Sequence, residues 1–141
     1  VGIGITAITT LEERNKQFKE IDELFKTKGK ENFILPNSDP LSEPSWFSYP
    51  LVIQEDAPFT RKDFVDYLAK NFVEIRPIMC GNLIKQPPFA KAKHITLDQG
   101  NFPVGEAIEE RGFFIPAWGM PENQKQNYHL VLENFLEKQI K

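Results

Sequence analysis

The stretch Phe72-Val-Glu-Ile-Arg-Pro-Ile-Met-Cys-Gly-Asn-Leu-Ile-Lys-Gln-Pro-Pro-Phe89 decides how this chain is read. Its first part, Phe72 to Ile78, is apolar and rich in β-branched residues, which is the composition of a strand. Arg76 ends that run against Pro77, and a residue before proline is pushed toward extended backbone. Gly81-Asn82 is turn chemistry, and Gln86-Pro87-Pro88 makes a second stop. The expectation is a strand that delivers a fixed guanidinium and a side-chain amide into a loop with little backbone freedom.

Helical patterns flank that strand. Upstream, Phe59-Thr60-Arg61-Lys62-Asp63-Phe64 has the form of a helix start. Thr60 can cap, Asp63 can return the bond, and Phe59 and Phe64 can staple across the cap. Phe64, Val65 and Leu68 give that helix an apolar face. Further upstream, Trp46 to Gln54 reads as a strand and Pro36 to Pro44 as a loop. From Thr10 to about Lys26, Leu11, Phe18, Ile21 and Phe25 recur at helical spacing, and Lys28-Gly29-Lys30 ends the helix. Downstream, residues 85 to 101 are polar and loop-like. Pro103 opens a short helix with Val104, Ala107 and Ile108 expected inward and Gly112 as its stop. Gly112 to Pro116 reads as a short buried strand. Pro121 starts a last helix with a stripe of Tyr128, Val131, Leu132 and Phe135. Three strands interleaved with helices predict an α/β or α+β domain, a small sheet with helices packed on it.

Bulk properties narrow the function classes. The chain has 141 residues, 40% apolar and 12% aromatic, with twelve phenylalanines, enough for one domain with a real core. A net charge of -3 and the lack of a Lys/Arg run argue against nucleic acid as a partner. No apolar stretch reaches the roughly 20 residues that cross a bilayer. The single Cys80 excludes an internal disulfide and any all-cysteine metal site, and it points to a reducing compartment. With only His94 and His129, a three-histidine metal site is impossible. Val1-Gly-Ile-Gly-Ile5 lacks the charged start of a signal peptide and reads as an internal cut in a longer protein, apolar because it packed on something else.

Each candidate site residue has two readings. Arg76 is either a surface arginine paired with Glu74 or a guanidinium that grips a phosphate or carboxylate through two bonds. Asn82 is either a turn residue or an amide reaching a ligand hydroxyl, and Gln86 carries the same ambiguity. Cys80 is best read as a structural thiol. His94 is an exposed loop residue, and His129 lies at the surface or in packing. No pair of carboxylates stands out as acid and base, and no phosphate loop or dinucleotide fingerprint is present. On these residues alone the chain is a small α/β domain with one conspicuous strand-end loop.

Three segments carry a resemblance. Ser42-Glu-Pro-Ser-Trp-Phe-Ser-Tyr-Pro50, Glu55-Asp-Ala-Pro-Phe-Thr-Arg61 and Ile75-Arg-Pro-Ile-Met-Cys-Gly-Asn-Leu-Ile-Lys-Gln-Pro-Pro88 resemble the C-terminal part of DegT-like, fold-type-I enzymes dependent on pyridoxal phosphate and acting on nucleotide sugars. The Arg-Pro, Gly-Asn and Gln-Pro spacing is most similar to the CDP-4-keto-6-deoxyglucose 3-dehydrase branch. Phe102-Pro103, Gly112 to Pro116 and Leu11 to Asn15 also fit the family's order. Met79-Cys80 and Ala117-Trp118-Gly119 depart from it. The resemblance implies a small, mostly antiparallel sheet with helices on it. Residues 1–30 would be an interdomain-type helix and 31–141 the small α/β domain. The large cofactor-binding domain, with its Schiff-base lysine or the histidine that replaces it in dehydrases, would be absent. The full enzyme would be a cytoplasmic homodimer that uses pyridoxal or pyridoxamine phosphate to remove the 3-hydroxyl of a nucleotide-diphosphate sugar, or to aminate one, in lipopolysaccharide biosynthesis. Alternatively, the chain is a non-catalytic interaction module descended from such an enzyme. Its share in an enzyme would be substrate positioning and closure of the cleft, through Arg76, Asn82 and Gln86, with no cofactor, metal or catalytic residue of its own.

Overall fold

The computed structural model describes residues 10–79, 81–90 and 101–139. Its long first helix, α1 (Leu11–Lys28), has Glu12 and Glu13 in its first turn and Lys26 and Lys28 in its last, matching the helix dipole. Gln17, Ile21 and Phe25, four residues apart, form its buried stripe. Gly29 closes it, donating its N–H to the Phe25 carbonyl at 2.8 Å. A two-residue strand β1 (Phe33–Ile34) follows, then the central strand β2 (Tyr49–Ile53). Tyr49, Leu51 and Ile53 alternate inward along β2.

Helix α2 (Arg61–Lys70) begins with the expected capping box: Asp63 N–H donates to Thr60 Oγ1, and Thr60 N–H donates back to the Asp63 carboxylate. That same Thr60 contact holds the Asp63 carboxyl below the usual range. A 3-10 turn (Leu83–Lys85) and a single helical turn α3 (Pro87–Ala90) come next. Then α4 (Pro103–Arg111), with proline at its first position, runs into β3 (Gly112–Ile115). The last helix is α5 (Glu122–Gln139). The sheet order is β1-β2-β3 and both pairings are antiparallel, with Phe33 opposite Ile53, Tyr49 opposite Ile115 and Leu51 opposite Phe113.

Helix α1 packs on β2 and α5, α2 packs on α5, and α4 lies against β2 and β3. Phenylalanines fill the space between. Phe64 sits 4.5 Å from the ring of Phe135, 5.4 Å from Phe33 and 5.4 Å from Phe113. Phe59 and Phe64 staple the start of α2 at 6.3 Å. The inward stripe of α5 is Tyr128, Val131, Leu132 and Phe135, joined by Leu136. Lys28 ties α1 to α5 through Glu133 and Glu137. Among the described residues no helix is long and apolar enough to cross a membrane.

Several expectations change. Phe72 to Ile78 is not a strand. Only Arg76 pairs, in an isolated antiparallel bridge to Phe114 on the free edge of β3. The cause lies at the end of α2, where the backbone turns back through Phe72 at φ 59° before it can extend. The strand expected from Trp46 begins at Tyr49, because Trp46 instead stacks on Phe18 at 5.2 Å. Pro50 is tolerated in β2 because β1 pairs only with Val52 and Ile53, which leaves one side open at the proline. The third strand is Phe33–Ile34, too short to show an alternation. Residues 87–90 form a helical turn rather than loop. Val104 faces outward, since α4 buries none of its residues fully. The expectations for Val1–Ile5, Cys80 and His94 lie outside the described residues.

Candidate functional site

A cavity of about 750 Å³ opens beside the free edge of β3. Five segments wall it: α1 through Arg14, the approach to β2 through Phe47 and Ser48, the turn after α2 from Asn71 to Arg76, the end of β3, and α5 through Gln124, Asn127 and Tyr128. Its floor is fixed by buried polar bonds. Tyr128, fully buried and with its phenol pushed well above the usual range by burial, donates to the Pro116 carbonyl at 2.8 Å. Gln17 accepts from the Met120 N–H at 3.1 Å. Arg14 donates to the Trp46 carbonyl at 2.9 Å, which holds the segment carrying Phe47 in place. Ser48 Oγ is buried on this wall with no hydrogen-bond partner among the described residues.

The rim is unusually apolar. Phe72 is 98% exposed, Phe47 75% and Trp118 52%. Arg76 also stands on the rim. Its backbone is locked to Phe114 by two hydrogen bonds, and its guanidinium meets Glu74 Oε1 through Nε at 3.2 Å and Nη2 at 3.0 Å. The lining therefore combines aromatic faces, two guanidinium groups and one carboxylate. It contains no lysine, histidine or aspartate.

The three sequence-selected residues do not come together in this cavity. Arg76 lines it, but Asn82 and Gln86 do not. Asn82 lies on the α4 side, only 4% exposed, with its N–H donating to Glu109 Oε2 at 3.1 Å and its Nδ2 without a hydrogen-bond partner. Gly81 before it has φ +43°, and a side chain there would meet Glu109 Cβ at 2.7 Å, so this turn requires glycine. Gln86 is half-buried and closes the 3-10 turn, its N–H donating to the Leu83 carbonyl at 3.1 Å. Phe47, Phe72 and Arg14 were not selected from the sequence, where aromatic residues read as core. In the sequence, Trp118 stands out only as part of the Ala117-Trp118-Gly119 departure from the family pattern.

His129 lies away from the cavity, between α1 and α5. Its Nε2 is 3.9 Å from Glu20 Oε2. Burial lowers its pKa and outweighs Glu20, while Lys125 pushes the same way as burial, so the ring is neutral at pH 7 and the contact is not a salt bridge. Among the described residues no group of three or more His, Cys, Asp or Glu could hold a metal ion.

The chain matches no protein-family model. Its relatives include sugar 3-dehydratases. It is 28% identical over 109 residues to a dTDP-4-dehydro-2,6-dideoxy-D-glucose 3-dehydratase of Saccharopolyspora spinosa, covering 77% of this chain and 23% of that protein. It is 37% identical over 60 residues to the lipopolysaccharide biosynthesis protein RfbH of Salmonella typhimurium, covering 43% of this chain and 14% of that one. The solved structure of Escherichia coli GDP-4-keto-6-deoxy-D-mannose-3-dehydratase with bound hydrated PLP superposes with a TM-score of 0.68 at 25% identity, over 92% of this chain and 33% of that chain. A DegT DnrJ EryC1 StrS aminotransferase of Brucella abortus shares the fold at 17% identity and a TM-score of 0.69. The chain thus spans about a third or less of the proteins it matches, and the small antiparallel sheet with helices on it is the fold expected of this group.

Proposed function

We propose that this chain is the C-terminal, substrate-closing part of a pyridoxal-phosphate-dependent 3-dehydratase that acts on a 4-keto-6-deoxy nucleotide sugar. The observation that carries the reading is the run of similarity to 3-dehydratases over most of the chain, together with the superposition on one of them. Two curated relatives link such sugars to GDP and one to dTDP, so the CDP form suggested by the Arg-Pro and Gly-Asn spacing is one of several nucleotides to test.

The described residues do not by themselves fit the cofactor. Pyridoxal phosphate needs an amine or imidazole at its aldehyde, an acid at its ring nitrogen and a cradle for its phosphate, and the cavity lining offers no lysine, histidine or aspartate. No chemical step is assigned to this chain. When bound elsewhere in the enzyme, the cofactor would supply the electron sink for loss of the 3-hydroxyl. This chain would contribute orientation, which is worth much of the barrier when a substrate is held in a reactive pose.

Arg76 is the residue that fits such a role best. Its backbone N–H and carbonyl are both bonded to Phe114, and its guanidinium edge is held by a single exposed carboxylate. A diphosphate is a stronger partner for that planar fork than one solvated glutamate. Asn82 and Gln86 lie on the α4 side, outside the cavity lining: the Asn82 backbone N–H bonds Glu109 in the turn after Arg76, and its side-chain Nδ2 is buried without a hydrogen-bond partner among the described residues. Homodimer formation and a cytoplasmic location belong to the same reading.

The test is product analysis. The enzyme made from the complete reading frame, with pyridoxamine phosphate and keto-deoxy sugars carrying CDP, GDP or dTDP, should release the 3-hydroxyl as water. Transfer of an amino group from glutamate to the sugar, with the 3-hydroxyl retained, would overturn the dehydratase reading in favour of an aminotransferase.

A further inference from the structure

Helix α2 ends in a way that its sequence should resist. Val73 N–H donates to the Leu68 carbonyl at 2.9 Å and Phe72 N–H to the Ala69 carbonyl at 3.1 Å. These are the two bonds of a Schellman stop, and they place Phe72 in its left-handed position. That position belongs to glycine or asparagine, because a Cβ there crowds the backbone. Phe72 has φ 59° and is the one non-glycine residue with positive φ among the described residues. Nothing in the fold repays that strain, for its side chain is 98% exposed. The hydrophobic contact of such a stop is made by Val73, which packs against the core that contains Leu68.

A large aromatic that is both strained and solvated contributes to something other than folding of these residues. Phe72 stands on the wall of the same cavity as Phe47 and Trp118, which are also exposed. This apolar rim surrounds an opening that the chain's own described residues leave uncovered. The relatives are three or more times longer than the aligned part. Resting on the reading above, the rest of such an enzyme has to meet this domain on some face, and no other wall of the described structure assembles three exposed aromatics around a cavity.

We propose that Phe72 is a docking anchor: its ring, with Phe47 and Trp118 beside it, inserts into an apolar surface of the polypeptide that precedes this chain in the full enzyme. The left-handed backbone aims the ring outward, and α2 accepts a less stable end so that the anchor projects.

The experiment measures thermal unfolding of Phe72→Gly and Phe72→Asn in the 141-residue chain and in the enzyme from the complete reading frame, with Leu41→Ser as an exposed control away from the cavity. In the short chain both Phe72 variants should raise the melting temperature by about 2–4 °C, because strain is relieved and no contact is lost. In the full enzyme both should lower it by about 3–6 °C, as a buried aromatic is removed. The control should move neither. A rise in both forms, with 3-dehydratase activity intact, would overturn the docking while leaving the enzymatic reading standing. A reading frame that encodes no cofactor-binding part would overturn both.

Discussion

Two sets of phenylalanines divide this molecule. Phe25, Phe33, Phe64 and Phe113 are fully or almost fully buried, in ring contact with one another or with Tyr49, Phe59 and Phe135. Phe47 and Phe72 carry the same side chain, yet stand in solvent around a cavity. The hydrophobic effect treats both alike, so the difference has to come from the backbone. In the first set the rings lie on the inward stripes of helices and strands. In the second they lie on connections, Phe47 before β2 and Phe72 in the left-handed end of α2. The core set stabilises the domain, and the rim set is free to serve contacts outside it.

The sharpest way to break this division is to truncate one member of each set. Phe64→Ala should cost about 3–5 kcal/mol, because four neighbouring rings lose their partner and cannot collapse onto the space. Cooperative thermal unfolding of the variant, followed by circular dichroism, should be lost or fall by 10 °C or more, roughly as expected for a domain of this size. Phe47→Ala should stay within about 0.5 kcal/mol of the parent. Equal losses would show that the rim is part of the core.

Gly81→Ala probes the turn between the two regions. The positive φ and the contact with Glu109 predict a loss of about 1–3 kcal/mol, read as a lower urea midpoint with an unchanged slope. A neutral result would mean that the turn relaxes freely and does not hold Asn82 against Glu109.

His129 gives a smaller, pH-dependent effect. Its folded pKa lies below the ordinary value of 6.5, for burial opposes the charge more than Glu20, Glu122 and Glu133 favour it, and Lys125 adds to the opposition. Below about pH 6.5 the unfolded chain therefore binds the proton first. Stability should be complete above that pH and decline as pH falls toward the folded pKa. His129→Gln should flatten the decline in melting temperature between pH 7 and 5. An increase in stability on acidification would mean that the ring gains a charged bond to Glu20 instead.

The parts of the fold legible in the sequence are those set by local chemistry. The Thr60–Asp63 capping box, proline at the start of α4, the end of α1 at Gly29 and the stripe of α5 all depend on residues within a few positions of each other. The errors arise where a distant partner decides. Val73, Ile75 and Ile78 have strand composition, but a strand needs an available edge, and only Arg76 finds one, at Phe114. Phe33–Ile34 became a strand because Ile53 and Val52 were there to pair with it. At the candidate site, the proline after Arg76 singles that residue out in the sequence, and the structure puts it on the cavity lining. The aromatic rim was not, because composition cannot tell an inward phenylalanine from an outward one. Asn82 was recognised as unusual, but its placement behind the cavity depends on Glu109, 27 residues away.

Arg76 carries a small predicted effect on stability and the largest on function. Its ion pair with Glu74 is exposed, 71% and 74% on the two side chains, and such pairs add little to folding. Arg76→Ala should leave the melting temperature within about 1–2 °C of the parent. If Arg76 holds the diphosphate as proposed, the same change in the full enzyme would remove a charge-assisted contact worth about 1.5–3 kcal/mol. Steady-state turnover of the nucleotide sugar should then fall roughly ten- to a hundred-fold, and Arg76→Lys should recover little of it because the planar fork is lost. Measuring kcat/KM and the melting temperature together on the full-length Arg76→Ala enzyme tests the account most directly. A large kinetic loss at an unchanged melting temperature is the predicted result. Unchanged kcat/KM with a sharply lower melting temperature would contradict it and make Arg76 a structural partner of Glu74.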